Sequence, residues 1–256
     1  MSFNVLFFRL YNRISFLIKA KGLHGTHSPF VYELIRQCIK PSRKTKIADI
    51  EELRKKLSED HQLVEVVDFK RSRTDLRRIS TITRTSLSTR KFSSMLLHLA
   101  NYLQAESGLE TGTSLGLNTL YLSHSHLKTI TSIEGSKVIA TMARKNITPR
   151  SNTVRVINEN LYKVLEEEIV RAHPDFYFLD ADHRSTAVAF CVDLILKHTP
   201  DAKCIVIHDI YWSKDMKEMW LQLTQDPRFN LSIDLFEGGL LFPNVEMPKQ
   251  HFTLRF

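Results

Sequence analysis

After residue 105 the chain alternates between two hydrophobic periods, and this limits the folds open to it more than any single motif. Five short apolar runs, "SGLETG", "TITSIEG", "NTVRVIN", "DFYFLDAD" and "AKCIVIHD", are each followed by a stretch with helical spacing, at 115–124, 136–147, 161–172, 184–198 and 212–225. Short apolar runs separated by helices read as buried strands of a parallel sheet covered on both faces. "NLSIDLFEGGLLF" reads as two further strands around a Gly238–Gly239 turn, and "HFTLRF" could be a last edge strand. The expectation is an α/β fold, a doubly wound and mostly parallel seven-stranded sheet with a terminal antiparallel hairpin.

Before residue 105 the pattern is helical. Phe3, Phe7, Leu10, Ile14 and Leu17 form one stripe, and 29–39, 45–58 and 92–105 also read as helices. A stripe at this spacing is usually core; the alternatives are a membrane-surface helix or a homodimer contact. The expected division is a helical extension over 1–91, acting as a lid with a basic belt, and a ligand-binding domain over 92–256. No apolar run approaches the roughly 20 residues needed to span a bilayer. The N-terminal segment is interrupted by Arg9, Arg13 and Lys19. With three cysteines that form no CxxC pair, Cys38, Cys191 and Cys204, this points to a reduced, cytoplasmic protein with no membrane span.

The net charge of +8 is concentrated between 70 and 91, where eight Lys/Arg face one Asp. Such a belt can be a solvated face or can meet an acidic substrate, nucleic acid or headgroups. It contains no aromatic residue for base stacking.

Ligands of doubly wound sheets sit at the carboxyl ends of the strands. Here those ends are polar: Glu110 and Gly112, Glu134, Asn158, then Asp180, Asp182 and His183, then His208 and Asp209. The first loop, "GLETGTSLGLNTLYL", lacks the lysine and hydroxyl of a nucleotide-hydrolysing P-loop, because Leu117 and Asn118 follow Gly116. It also lacks the GxGxxG of dinucleotide sites, having Gly112-x-x-x-Gly116. A carboxylate at Glu110 repels a pyrophosphate and attracts a cation, while Glu134 is placed to accept from ribose hydroxyls. The loop therefore suits a cationic nucleoside without phosphates, a description that S-adenosylmethionine (SAM) fits.

"LETGTSLGLNTLYL" resembles motif I of class I SAM-dependent methyltransferases, and "SIEG" their ribose-binding motif. "DFYFLDADHR" with "CIVIHD" is similar to the O-methyltransferase branch related to catechol O-methyltransferase, over residues 92–256. "KGLHGTHSPFVYELI" resembles the extension of an uncharacterised bacterial subgroup. The resemblance implies a Rossmann-like methyltransferase fold and O-methylation of a small-molecule acceptor. It implies cofactor contacts from Glu110, Gly112, Thr113, Ser114 and Gly116, from Glu134 and Gly135 at the ribose, from Asn158 and Asn160 near the adenine, and from Asp180 beside the sulfonium. Asp180 and Asp209 match two ligands of the metal-dependent relatives, but the third falls on Ile210, which leaves a divalent metal in doubt. His183 or His208 could replace it only with a transition metal.

Asp180, His183, His208 and Asp209 are the candidate catalytic groups, with histidine having the more useful unperturbed pKa of about 6.5. Simpler roles stand beside these: Glu110 as a helix cap, Asp182 as the cap of the next helix, His208 as a structural histidine, Asn158 as a turn residue. His24 and His27 could lie on a lid, with Ser28-Pro29 starting a helix. Two other functions stay open. One is an RNA or protein methyltransferase using the belt, although "DADH" stands where base-methylating enzymes carry an Asn/Asp-Pro-Pro-aromatic motif. The other is a SAM-binding protein without turnover.

Overall fold

The structure, a computed structural model, describes residues 3–22, 27–68 and 73–256; His24, Lys70 and Arg71 lie outside them. The N-terminal part contains α1 (Phe3–Lys19), α2 (Pro29–Leu34), a π-helical turn (Ile35–Ile39), α3 (Lys40–Ser42) and α4 (Ala48–Glu59). An antiparallel hairpin follows, β1 (Leu63–Asp68) with β2 (Arg73–Arg78), then α5 (Ile79–Thr85) and α6 (Arg90–Tyr102). The alternating part runs β3 (Ser107–Thr111), α7 (Leu117–Ser123), β4 (Thr129–Glu134), α8 (Lys137–Ile147), β5 (Val154–Asn158), α9 (Leu161–Ala172) and β6 (Phe176–Leu179). It continues with α10 (Ser185–His198), β7 (Cys204–His208), α11 (Lys214–Gln225), β8 (Leu231–Asp234), β9 (Gly238–Phe242) and β10 (Gln250–Thr253).

The main sheet has the order β5-β4-β3-β6-β7-β9-β8-β10. It has eight strands where seven were expected, because β10 pairs parallel with β8. Only β9 runs against its neighbours β7 and β8. β6 and β7 are buried along their whole length, as unbroken apolar runs such as Phe176–Leu179 require when both faces are covered. Side chains cap the covering helices: Thr89 accepts from Phe92 N at α6, Asn160 from Tyr162 N at α9 and Ser213 from Met216 N at α11.

One core layer joins Val31, Leu34 and Phe92 to Phe178, Val206 and Phe242, and the other packs Val192, Trp220 and Ile169 on Tyr177, Ile205 and Leu241. The first layer runs unbroken from Val31 to Leu254, across residue 91. Cys38, Cys191 and Cys204 are free and buried; burial pushes the Cys38 and Cys191 thiols up to about 12.

Three expectations are corrected. Gly238 and Gly239 are not a turn; they open β9, and the reversal is made by Leu235–Glu237 with Phe236 at φ 69°. A Cβ at Gly239 would lie 2.4 Å from Trp220, and one at Gly238 2.7 Å from Phe92, so glycine admits these rings onto the strand. The region before 105 is not all helical, because 63–78 forms the β1–β2 hairpin. The α1 stripe is not core: Phe7, Leu10, Ile14 and Leu17 are exposed, while Asn12 and Phe16 are buried.

Candidate functional site

β3 is the switch point of the sheet: the chain proceeds through β4 and β5 on one side of it, then returns to β6 and β7 on the other. The strand ends diverge here and leave a crevice. A cavity of about 620 Å³ occupies it, within the roughly 300–1,000 Å³ usual for small-molecule sites. Gly112, Ser114, Glu134, Gly135 and Asn160 line one side, and Asp180, His183, His208, Asp209 and Trp212 the other.

The first wall is held mainly by backbone. Gly112 has φ 86°, and a Cβ there would stand 2.6 Å from the Asp180 carbonyl oxygen, so this crossing of two chains admits only glycine. Gly112 N donates to Ile133 O at 2.8 Å and Asp180 N to Thr111 O at 3.0 Å. Glu134 accepts from Ser114 N at 3.0 Å and from Ser136 N at 2.9 Å. Burial raises its pKa, against those backbone donors. Each carboxylate oxygen keeps a second lone pair, so two ribose hydroxyls can still donate to it. Asn158 donates to Glu134 O at 2.9 Å and Gly135 O at 3.1 Å, fixing this loop from behind.

Glu110 is fully buried beneath the loop and does not line the cavity. One of its oxygens accepts from Ser132 Oγ at 2.6 Å and from Thr119 Oγ1. Burial pushes its pKa up to about 7, although both hydroxyls oppose the shift. Thr113, bonded to Ser132 Oγ at 2.6 Å, also lies off the cavity. So does Gly116 (φ 87°), where a Cβ would meet Ile147 at 2.9 Å.

The second wall is made of charged side chains. His208 Nδ1 lies 3.0 Å from Asp180 Oδ1 and 3.7 Å from Asp209 Oδ2. The first contact is an ion pair whose N–H is not aligned for a hydrogen bond. Burial lowers the His208 pKa, but Asp180, Glu237 and Asp209 outweigh it and hold it well above the usual value. Behind the ring, Ser88 Oγ is 3.3 Å from Nε2 and accepts from Asn118 Nδ2 at 2.9 Å. Phe92 packs edge-on to the ring at 4.9 Å. His183 Nε2 stands between the same carboxylates, 3.8 Å from Asp180 Oδ1 and 3.7 Å from Asp209 Oδ2, and its ring lies 5.5 Å from Trp212. Asp209 is held at φ 54° by its N–H donating to Glu237 O at 2.8 Å. A non-glycine residue in this region costs about 1–3 kcal/mol and persists where its surroundings enforce it.

The hairpin closes the cavity with Val66, Val67, Asp75 and Arg77, and Thr85, Ser86 and Leu87 follow from α5 and its trailing loop. Val66 and Val67 were not singled out from the sequence, and the other five were marked only as part of the 70–91 belt. The alternating "LVEVVD" was the available signal, obscured by the charge around it. Arg77 donates to Thr85 Oγ1 at 3.1 Å and Ser86 Oγ at 3.3 Å.

Residues 109–210 match the protein family described as a methyltransferase domain. The sheet that carries them has the methyltransferase fold of the solved structures compared below. No curated protein sequence matches the chain. Among solved structures, the O-methyltransferase of Bacillus cereus in complex with SAH is 16% identical, covers 81% of this chain and 98% of its own, and superposes with a TM-score of 0.57. The SAH-bound methyltransferase PaMTH1 of Podospora anserina is 17% identical, with 84% and 97% covered and a TM-score of 0.59. The O-methyltransferase TomG of Streptomyces achromogenes, in complex with SAM, is 16% identical, with 61% and 80% covered and a TM-score of 0.52.

The cavity thus brings together ten of the residues singled out from the sequence: Gly112, Ser114, Glu134, Gly135, Asn160, Asp180, Asp182, His183, His208 and Asp209. Asp182 does not cap α10, whose N-cap is Arg184 and whose first N–H donates to Asp215 at 2.9 Å. Asp182 instead pairs with Arg184 and accepts from Tyr162 at 3.0 Å. The belt is not one face. Arg77 turns into the cavity wall, Arg73 pairs with Asp75 at 2.9 Å, and Lys91 lies 4.0 Å over Phe256.

The expected metal ligands do not fit magnesium. That ion takes an octahedron of oxygens, whereas Asp180 and Asp209 face two imidazoles and Ile210 is fully buried. Among the described residues no group of three or more ligating side chains is arranged to hold a metal ion.

Proposed function

We propose that this protein, a cytoplasmic enzyme, methylates an oxygen of a small-molecule acceptor. The carrying observation is the meeting of the Gly112–Ser114 loop and the Glu134 carboxylate with a histidine-aspartate cluster across one cavity. SAM supplies an electrophilic methyl on a sulfonium sulfur and leaves as S-adenosylhomocysteine (SAH). Glu134 accepts from the ribose, Asn160 borders the adenine, and Asp180 offsets the positive charge beside the transferred methyl. Glu110, raised to about 7 by burial, braces the loop from beneath through Ser132 and Thr119 without touching the donor.

His183 is the acceptor's base. It lines the cavity and is partly exposed, while His208 is buried and held protonated by its acidic neighbours. The acceptor O–H gives its proton to His183, its oxygen bonds to the methyl carbon, and the carbon–sulfur electron pair goes to sulfur. His208 acts as a fixed cation that orients Asp180 and Asp209. Positioning can contribute up to about 7–11 kcal/mol and a base about 10²–10⁴-fold.

Calorimetric titration with SAH tests the donor assignment. Micromolar binding by the wild type, weakened about tenfold or more in Glu134→Ala, is expected for one lost charge-assisted contact. A folded wild type that does not bind SAH removes the reading.

A further inference from the structure

The covered face of the β1–β2 hairpin departs from the usual strand pattern. Alternate residues of a strand share a face, and the register sets Arg77 opposite Val64 and Asp75 opposite Val66. Val64 is buried, while Leu76, on the other face of β2, is 67% exposed. Two charged side chains therefore stand beside valines on the inward face, and both line the cavity. Departures of this kind are expected at functional positions. The charges of the wall then pair off, with one exception. Arg73 takes Asp75 at 2.9 Å, and Arg184 takes Asp182. Backbone N–H groups hold Glu134, and His183 and His208 stand between Asp180 and Asp209. Arg77 is the only lysine or arginine in the wall, and among the described residues no carboxylate pairs with it. Its Nη2 donates to Thr85 Oγ1 and Ser86 Oγ, neutral partners that orient the guanidinium without neutralising it. The N–H groups on Nε and Nη1 have no partner among the described residues.

We propose that Arg77 binds a carboxylate of the methyl acceptor, which makes the acceptor a small hydroxy acid. Its hydroxyl meets His183, its apolar body lies against Val66, Ile82 and Leu87, and its carboxylate accepts from Arg77. This rests on the reading of the cavity as a methyltransferase site with His183 as the base. A half-buried charge without a counter-ion is costly, and a ligand carboxylate supplies the missing ion through charge-assisted hydrogen bonds. One guanidinium balances one carboxylate. A phosphate dianion would leave excess negative charge in a wall that already holds the carboxylates of Asp75, Glu134, Asp180, Asp182 and Asp209. The donor carries a carboxylate too, but Arg77 lies outside residues 109–210, the stretch that matches the methyltransferase family. Enzymes of one fold share the site their common ligand needs and differ in the residues grafted around it. A side chain from the added hairpin suits the ligand that varies.

The test is calorimetric titration of the full chain, with and without SAH, using meta-hydroxybenzoate, para-hydroxyphenylacetate and omega-hydroxyhexanoate, each beside its primary amide. At least one acid should bind about tenfold or more tighter than its amide, and Arg77→Gln should abolish that preference while leaving SAH affinity in place. Circular dichroism checks the fold of the variant, and Arg77→Met, which keeps the apolar stem, repeats the measurement if the glutamine variant does not fold. Three results overturn the proposal: a wild type that prefers none of the acids to its amide; a preference that the variant leaves intact; or SAH binding about tenfold weaker in the variant, which gives the guanidinium to the donor's carboxylate. A wild type that binds no SAH removes the methyltransferase reading instead, and the titrations without SAH then still decide whether Arg77 holds a carboxylate.

Discussion

The two walls of the cavity are built from different materials. On the β3–β4 side, glycine and backbone N–H groups do the holding, and Glu134 has both oxygens taken by main chain. On the β6–β7 side, contacts run from side chain to side chain, through Asp180, His183, His208 and Asp209. A wall of main chain is fixed by the fold and suits a ligand that never changes, as the methyl donor is. A wall of side chains can be altered without moving a strand, and suits the acceptor.

The contrast can be broken by substitution. Gly112→Ala forces a methyl to 2.6 Å from the Asp180 carbonyl at φ 86°, so it should destabilise the protein by about 3 kcal/mol or more and abolish SAH binding. Thermal unfolding and titration measure both, and a stable, binding Gly112→Ala protein would show the first wall to be pliable. His183→Ala should lower turnover about 10²-fold or more with SAH affinity unchanged, because it removes a base and no donor contact. Weakened SAH binding would put His183 on the donor side.

Glu110 tests the wall from beneath. Its carboxyl is raised to about 7 from an ordinary 4.5, so the native state holds its proton more tightly than the unfolded chain does. The associated stability is complete below about pH 4.5 and is lost as pH rises through about 7, by about 3 kcal/mol in all. Glu110→Gln should flatten that slope in denaturant titrations across this window; an unchanged slope assigns the pH dependence to other groups. The smallest effect is expected at Arg77, in the hairpin. Arg77→Gln should change SAH affinity by less than about threefold, and a loss of tenfold, about 1.4 kcal/mol, would make the hairpin part of the donor wall.

Legibility followed the two kinds of construction. The expected helix at 161–172 matches α9 residue for residue, and the glycine loop and strand-end acids could be read because the sheet dictates their spacing. Elements whose burial comes from tertiary contacts could not. β2 alternates only between exposed and half-buried positions, so "RTDLRR" carries no apolar signal. Helical period showed that α1 has a stripe but not that Asn12 and Phe16, rather than Phe7 and Ile14, would face the protein. Gly238–Gly239 imitates a turn, while its actual reason, Trp220 and Phe92 on either side, is distant in sequence. Asp182 stood at a capping position and was drawn off by Arg184 and Tyr162.

The reversed strand β9 has a consequence for truncated chains. β7 pairs with β6 on one edge, but its other edge is covered only by Gly238–Phe242, some thirty residues later in the chain. A chain released after α11 keeps both β6 and β7 and presents the unpaired side of Cys204–His208, a strand buried along its whole length in the full protein, and such an edge is a template for pairing with another chain. Truncation there should favour aggregation over folding.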